Sequence, residues 1–291
     1  MICRNRVAIV TGAGQGLGRE HALALAAEGA AVIVNDLGEA AKSVAEEITT
    51  SGGAAVADVG DISDWTYAES LVHRAVEEFG TLHALVNNAG INRDRMLVSM
   101  TEADWDTALR VNLKGHAAPL HHAAAYWRTS AKNGHPVQAR IINTTSGAGL
   151  LGSVGQGNYG AAKAGIAALT IIAAAELARY GVTVNAIAPS ARTPMTEAVE
   201  AFADQMRAPE TGFDTMHPAN VSPLVVWLAS TESTEVTGRV FEVEGGVISV
   251  ADGWQHGPRA ERDRRWTAAE VGPAVSELLN RAPDPAPVYG S

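Results

Sequence analysis

The stretch TGAGQGLG, Thr11 to Gly18, follows a short β-branched run at Val7 to Val10 and opens an alanine-rich helical stretch from Gly18 to Glu28. In that setting Gly12 and Gly16 allow a tight turn and the close approach of a phosphate, and Gly18 lets the helix pack near the strand. The free N–H groups and partial positive charge at the helix N-terminus then suit a pyrophosphate. The next strand, within GAAVIVND, ends at Asp36, about where a dinucleotide fingerprint places an acid on the adenosine ribose. A carboxylate there accepts hydrogen bonds from both ribose hydroxyls and repels a 2′-phosphate, which favours NAD over NADP. The alternative is an ordinary turn between strand and helix, with Asp36 capping the helix that follows. Asp61, in VGDISD after the third strand, is placed to accept from an adenine amino group, unless it or Asp64 is a helix cap.

Outward from this stretch, strands and helices alternate. Further strands are expected at Ala54 to Asp58, Leu82 to Asn87, Arg140 to Thr144, Thr183 to Ile187 and Val240 to Val243, with helical segments between them. Alternation of this kind, joined by right-handed crossovers, predicts an α/β fold: a single Rossmann-type, doubly wound parallel sheet with helices on both faces. The rhythm breaks over residues 192–217 and again after Gly246. The closing APDPAPVYGS is proline-rich and expected to lie extended on a surface.

Composition narrows the function. A chain of 291 residues, 46% hydrophobic, buries a full core. A formal charge of −10 and a pI near 5.4 argue against a nucleic-acid or anionic-membrane surface, which calls for a basic face. Cys3 is the only cysteine, which excludes a disulfide framework and fits a reducing compartment. The opening MICRNRVAIVTGAG has too short an apolar run for a secretory signal, and the uncharged run Ala164 to Ala175 falls short of the ~20 residues that span a bilayer. The expectation is a cytosolic (cytoplasmic) protein with no membrane insertion. A metal site has no support, because the histidines lack HExxH spacing and His121 and His122 are neighbours that cannot both face one site on a helix.

Two further motifs carry chemistry. In VNNAG, Val86 to Gly90, Asn87 and Asn88 can bond the backbone and hold adjacent strand ends, while Ala89 and Gly90 leave room for a flat ligand; a purely structural turn is the rival reading. In NYGAAKAG, Asn158 to Gly165, Tyr159 and Lys163 share one helical face. A phenol near its ordinary pKa of about 10 is a poor base at neutral pH, and a neighbouring cation draws it toward the working range. Ser146, at the tip of RIINTTS, can hold a substrate oxygen across the pocket. Taken alone, a Tyr and Lys at this spacing also describe a surface pair on an alanine-rich helix.

Together these motifs resemble the short-chain dehydrogenase/reductase family: TGxxxGxG at Thr11 to Gly18, NNAG at Asn87 to Gly90, a VNLxG asparagine at Asn112, Ser146, YxxxK at Tyr159 and Lys163, and a post-strand Pro189, in order over about residues 4–246. The resemblance implies that Tyr159 is the general acid/base, that Ser146 orients the substrate oxygen, and that Lys163 lowers the Tyr159 pKa while holding the nicotinamide ribose. Asn112 would hold a water linking Lys163 to a proton relay. Gly12, Gln15, Gly16, Leu17, Gly18, Asp36, Asp61, Ile62, Asn88, Ala89, Gly90, Tyr159, Lys163, Pro189 and Thr193 would meet the NAD. About seven strands and a homotetramer or homodimer are also implied. Pro189-Ser190 departs from the family's usual PG, and Thr193 follows one residue sooner than in many members.

VIVNDLG, NNAGINRDRML, GQGNYGAAKAGI and APSARTPMT look like the dehydrogenase unit of peroxisomal multifunctional enzyme type 2 and its actinobacterial relatives, which act on (3R)-hydroxyacyl-CoA or 17β-hydroxysteroids. Residues 192–217 would be a substrate lid offering Met195, Val199, Phe202, Met206, Phe213 and Met216 to a lipid-like substrate; an apolar loop without that role is the alternative. Residues 247–291 form an extension on the surface or at a subunit interface, where Arg259, Arg262, Arg264 and Arg265 meet CoA phosphates or simply solvate a charged helix. The rival functions are a 3-oxoacyl thioester reductase, separable by cofactor preference and direction, and a non-catalytic dinucleotide sensor, against which the intact Ser146, Tyr159 and Lys163 speak.

Overall fold

A computed structural model describes residues 1–197, 207–251 and 253–289. Five β-branched or alanine-rich runs become parallel strands because they are apolar on both faces and so need cover on both. These are β1 (Val7–Thr11), β2 (Ala31–Asp36), β3 (Ala54–Val59), β4 (Ala84–Asn87) and β5 (Ala139–Thr144), joined in the same sheet by β6 (Val182–Ser190) and β7 (Val240–Glu244). An eighth strand, β8 (Val247–Ala251), folds back antiparallel on β7, pairing Val243 with Ile248. The order is β3-β2-β1-β4-β5-β6-β7-β8. The expected count of about seven therefore rises to eight, because the two glycines after Glu244, Gly245 at φ +54 among them, turn the chain into a hairpin instead of releasing it.

The strand order reverses between β2-β1 and β4-β5. There the connections leave the sheet in opposite directions and open a crevice at the carboxyl ends of β1 and β4. One face of the sheet is covered by α1 (Gly16–Ala27), α2 (Ala40–Thr50) and α9 (Ser222–Ala229), through Leu25, Ile48 and Leu228 among others. The other face carries α3 (Trp65–Phe79), α5 (Gly115–Lys132) and α7 (Gly157–Leu177), through Leu71, Trp127 and Leu177. Between them lie α4 (Glu102–Ala108), whose first turn is closed by a capping box of Thr101 and Asp104, and a π-helical turn at Leu109–Lys114. Asp64 caps α3 by accepting from the Tyr67 N–H, and Gly80 ends that helix at φ 81.

The uncharged run at Ala164 to Ala175 sits inside a longer continuous helix, Gly157–Tyr180, which is long and apolar enough by length and composition to cross a membrane. It packs instead on the sheet through Ala162, Ile166, Ala173 and Leu177, and it carries the buried Lys163. The remaining described α-helices are α6 (Gly147–Leu150), α8 (Pro194–Glu197) and α10 (Ala268–Arg281).

Trp127 is 1% exposed and its indole N–H donates to the Leu82 carbonyl at 2.7 Å, tying α5 to the segment entering β4. Trp127→Ala is expected to destabilise the fold by about 3–5 kcal/mol, through the lost side-chain volume and an orphaned carbonyl. Urea denaturation midpoints at constant m-value measure this.

Candidate active site

The glycine loop closes as its residue types require. Gly12 sits at φ +63, and a Cβ on it would lie 2.7 Å from Ala89 Cα. A Cβ on Gly18 would lie 2.1 Å from the Gly12 carbonyl oxygen, so the first turn of α1 can rest on the end of β1 only as glycine. Gln15 is the N-cap of α1 and gives no side-chain cap, leaving first-turn N–H groups free to receive an anion. Leu17 packs on the core beneath the loop. A Cβ on Gly16 would stand 3.5 Å from the Thr193 side chain, which places Thr193 over the loop from the far side of the crevice.

Asp36 is no helix cap: Glu39 holds that position in α2. Its Oδ2 accepts from Gly14 N at 2.9 Å and its Oδ1 from Gly38 N at 3.1 Å, so the carboxylate stands at the tip of β2 between the glycine loop and the turn that leads into α2. Asp61 is not a cap either. It accepts from Ser63 N and Ser63 Oγ, and pairs with Arg110 at 2.9 Å. Desolvation alone would raise its pKa, but the bonds from Ser63 and Arg110 outweigh it and hold the carboxyl below its usual range. Ile62 beside it is buried among α3 and α5.

The asparagines divide the work. Asn88 Nδ2 donates to the carbonyls of Thr11 (3.0 Å) and Gly12 (3.1 Å), while the Thr11 hydroxyl accepts from the N–H groups of Asn88 and Ala89. Asn87 instead lies wholly inside, donating to Asn143 Oδ1 at 2.9 Å. Gly90 is hemmed in by Asn112 and Lys163: a Cβ there would stand 2.7 Å from Asn112 Oδ1 and 3.6 Å from Lys163 Nζ. Asn112 lies on the π-helical turn, fully buried, with its amide clamping Ile91 through both its N–H (3.2 Å) and its carbonyl (2.9 Å).

Ser146, Tyr159 and Lys163 converge at the ends of β5 and α7. The Ser146 hydroxyl accepts from Ala148 N at 3.2 Å and is near enough to the Tyr159 phenol to draw its pKa down. Lys163 Nζ lies 5.5 Å from the Tyr159 ring centre and donates to the Thr144 carbonyl at 2.7 Å. Burial dominates the Tyr159 shift, and Lys163 is not among its causes. Desolvation pushes the phenol up to about 12, with Asp94 adding to the rise and Ser146 opposing it. Desolvation also pulls Lys163 down to about 7, so the amine is a weaker source of positive charge than an exposed lysine.

Asn158, not singled out by sequence, is buried and donates to the carbonyls of Arg93 (2.9 Å) and Asp104 (3.1 Å), locking the start of α7 to the loop after β4 and to α4. Gln156 does likewise through Asp94 Oδ2 at 2.9 Å. An asparagine immediately before the tyrosine was the available signal.

Ser146 and Tyr159 open on a cavity of about 560 Å³ bounded by Pro189, Met195, Val243, Val247 and Tyr289. Of the apolar residues expected to line a lid, Met195 reaches this cavity, whereas Met216 is 5% exposed and packs away, its carbonyl accepting from Arg192 N. Phe213 points to solvent, and Val199, Phe202 and Met206 lie outside the described residues. An Arg192–Asp214 ion pair joins the two ends of the segment. In the extension, Arg259 pairs with Glu261, and Arg262 and Arg264 with Glu270, so three of the four arginines already face carboxylates.

A nucleotide-shaped crevice beside a serine, tyrosine and lysine describes hydride chemistry, and comparison with known proteins agrees. Residues 6–204 match the short chain dehydrogenase family. The chain is a short-chain dehydrogenase. It is 48% identical over 253 residues to the hydroxyacyl-CoA dehydrogenase ChsB1 of Mycobacterium tuberculosis, covering 84% of this chain and 79% of that one. It is 41% identical to the peroxisomal multifunctional enzyme type 2 of Mus musculus, with 84% of this chain covered but only 32% of the mouse protein. The crystal structure of a short chain dehydrogenase from Mycobacterium avium superposes with a TM-score of 0.92 at 57% identity, over 100% of both chains. The dehydrogenase is therefore an oxidoreductase acting on CH–OH donors with a nicotinamide dinucleotide. The glycine cradle and the uncapped N-terminus of α1 fit that group.

The depressed Lys163 pKa has a thermodynamic signature. Between about 7, its folded value, and its ordinary 10.5, the unfolded chain binds more protons, so stability from this residue rises with pH across that window and is flat outside it. In Lys163→Met the rise is expected to vanish. The gap in unfolding free energy between variant and wild type should then change between pH 7 and 10, as read by urea titration.

Proposed function

We propose that the dehydrogenase uses NAD and oxidises a bulky secondary alcohol of lipid breakdown, a (3R)-hydroxyacyl-CoA or a 17β-hydroxysteroid. The observation that carries the cofactor choice is Asp36, whose two carboxylate oxygens stand against Gly14 N and Gly38 N at the tip of β2, where a 2′-phosphate would meet like charge. For the substrate, support comes from the cavity of about 560 Å³ with Met195, Val243 and Val247 in its wall, and from the name of the M. tuberculosis relative. Cytosolic homo-oligomers, tetramer or dimer, complete the proposal; the exposed Ile171, Ile172, Ile248 and Val250 on α7 and β8 support a subunit contact.

A bound nicotinamide dinucleotide would supply the hydride chemistry. Gly12, Gln15, Gly16, Leu17 and Gly18 would hold its pyrophosphate side, Asp36, Asp61 and Ile62 the adenosine, and Asn88, Ala89, Gly90, Pro189 and Thr193 the path to the nicotinamide. Ser146 Oγ orients the substrate oxygen beside Tyr159, and Tyr159 Oη carries the proton: it receives the alcohol proton in oxidation and returns it to a carbonyl oxygen in reduction. Lys163 Nζ anchors to the Thr144 carbonyl, next to Asn112 across Gly90. We assign Asn112 a place in the relay that resupplies Tyr159.

A 3-oxoacyl thioester reductase is the second reading. A phenol held up at about 12 is protonated at neutral pH and poised to donate, as reduction requires. A 3-oxoacyl-[acyl-carrier-protein] reductase of Synechocystis is also 38% identical, with 97% of its length covered.

Steady-state assays with each dinucleotide separate the two. The expected result is a kcat/KM at least about tenfold higher with NAD than with NADP; a preference for NADPH would overturn the assignment of Asp36. Tyr159→Phe is expected to lower kcat by about 10²-fold or more while dinucleotide affinity, followed by fluorescence, stays within a factor of a few. With Tyr159 at about 12, the oxidation rate should climb with pH from 7 to 10, whereas reduction needs no such rise.

A further inference from the structure

The end of the chain returns to the catalytic serine. Val288 and Tyr289 run parallel to the loop between α6 and α7: the Tyr289 carbonyl accepts from Val154 N at 2.9 Å, and Tyr289 N donates to the Gly152 carbonyl at 3.2 Å. On the opposite flank, Arg95 N donates to the Gly155 carbonyl at 2.8 Å. The loop that leads into Tyr159 is thus held by backbone bonds on both sides, one of them supplied by the C-terminal tail.

The tail's side chains continue the fit. A Cβ on Gly147 would lie 2.9 Å from both the ring edge and the hydroxyl of Tyr289, so the phenol rests on the backbone immediately after Ser146. A Cβ on Gly152 would lie 3.4 Å from Val288 Cγ1. Tyr289 borders the same cavity as Ser146 and Tyr159, and only 46% of it is exposed. Pro283, Pro285 and Pro287 precede it. Prolines restrict φ and remove N–H donors, so the approach to Val288 is stiff and the first donors after Pro287 are those at the docked end.

We propose that Tyr289 is a substrate-contacting residue that selects by size: its ring is the wall against which the arm of the alcohol nearest the reacting carbon lies, and the tail docked on Gly152 to Val154 holds that wall in place. The proposal rests on the reading of this cavity as the substrate site. It assigns a role to the extension different from the contact between its arginines and CoA phosphates.

The test compares wild type, Tyr289→Phe, Tyr289→Ala and a chain ended after Pro287 on two probes, a short-chain (3R)-hydroxyacyl-CoA and a 17β-hydroxysteroid. With the ring gone, a small substrate loses its contact and a polycyclic one gains room. kcat/KM for the thioester should fall about tenfold, chiefly through KM, and the ratio of steroid to thioester should rise by at least that factor in both Tyr289→Ala and the shortened chain. Tyr289→Phe should keep the wild-type ratio, and NAD affinity should be unchanged in all variants. An unaltered ratio in Tyr289→Ala and the shortened chain overturns the proposal, as does an equal gain on both probes, which would mark the tail as an obstruction. If the wild type turns over neither probe, the substrate reading fails by itself. Hydrogen exchange at the Val154 amide, with the steroid added to the NAD complex, then decides the wall: slowing in wild type but not in Tyr289→Ala supports it, and no slowing in wild type rejects it.

Discussion

The bonds between Thr11 and Asn88 hold the crevice on which everything else depends. Strand order reverses beside β1, so the chain leaves β1 and β4 in opposite directions and the two strand ends would otherwise splay. Asn88 Nδ2 on the Thr11 and Gly12 carbonyls, and the Thr11 hydroxyl under the N–H groups of Asn88 and Ala89, close that gap with four bonds at 3.0–3.1 Å. The closure is tight enough to demand glycine at positions 12 and 18, and it brings Gly90, with Asn112 and Lys163 behind it, to the edge of the nucleotide loop.

From that edge Tyr159 and Lys163 are set by burial more than by pairing. Lys163 lies within the helix, its ammonium satisfied by a single backbone carbonyl, and Tyr159 stands in low-dielectric surroundings beside Ser146. Burial opposes charge on both, raising the acid and lowering the base, so each is displaced toward its neutral form. A tyrosine held protonated beside a lysine whose amine titrates at about 7 is the pair on which the proposed proton transfer rests.

Much of this was legible because it is local. The glycine spacing, the acid at the end of the second strand and the Tyr and Lys one helical turn apart are set by backbone sterics and helix periodicity, and the structure places each at the carboxyl end of the sheet. Other features were not. Whether Met195 or Met216 met the cavity depended on the bonds from Arg192 to the Met216 carbonyl and to Asp214, and both methionines look alike in sequence. The direction of the Tyr159 shift required knowing how deeply the phenol and Lys163 are buried, which spacing along a helix does not report. The eighth strand hid in a segment whose exposed valines and isoleucine read as surface, because an edge strand is covered on one side only.

By itself, then, the sequence determined the sheet, the nucleotide loop and the shared helical face of Tyr159 and Lys163, since strand hydrophobicity, glycine φ and helical spacing are properties of neighbouring residues. Only the tertiary structure decided what borders the cavity beside Ser146 and Tyr159. Tyr289 lies far along the chain from Ser146, in a proline-rich end with no periodicity, and its place in the wall comes from backbone pairing with Gly152 and Val154. Such long-range pairing leaves no local pattern, because any short extended segment with free N–H and carbonyl groups can make it.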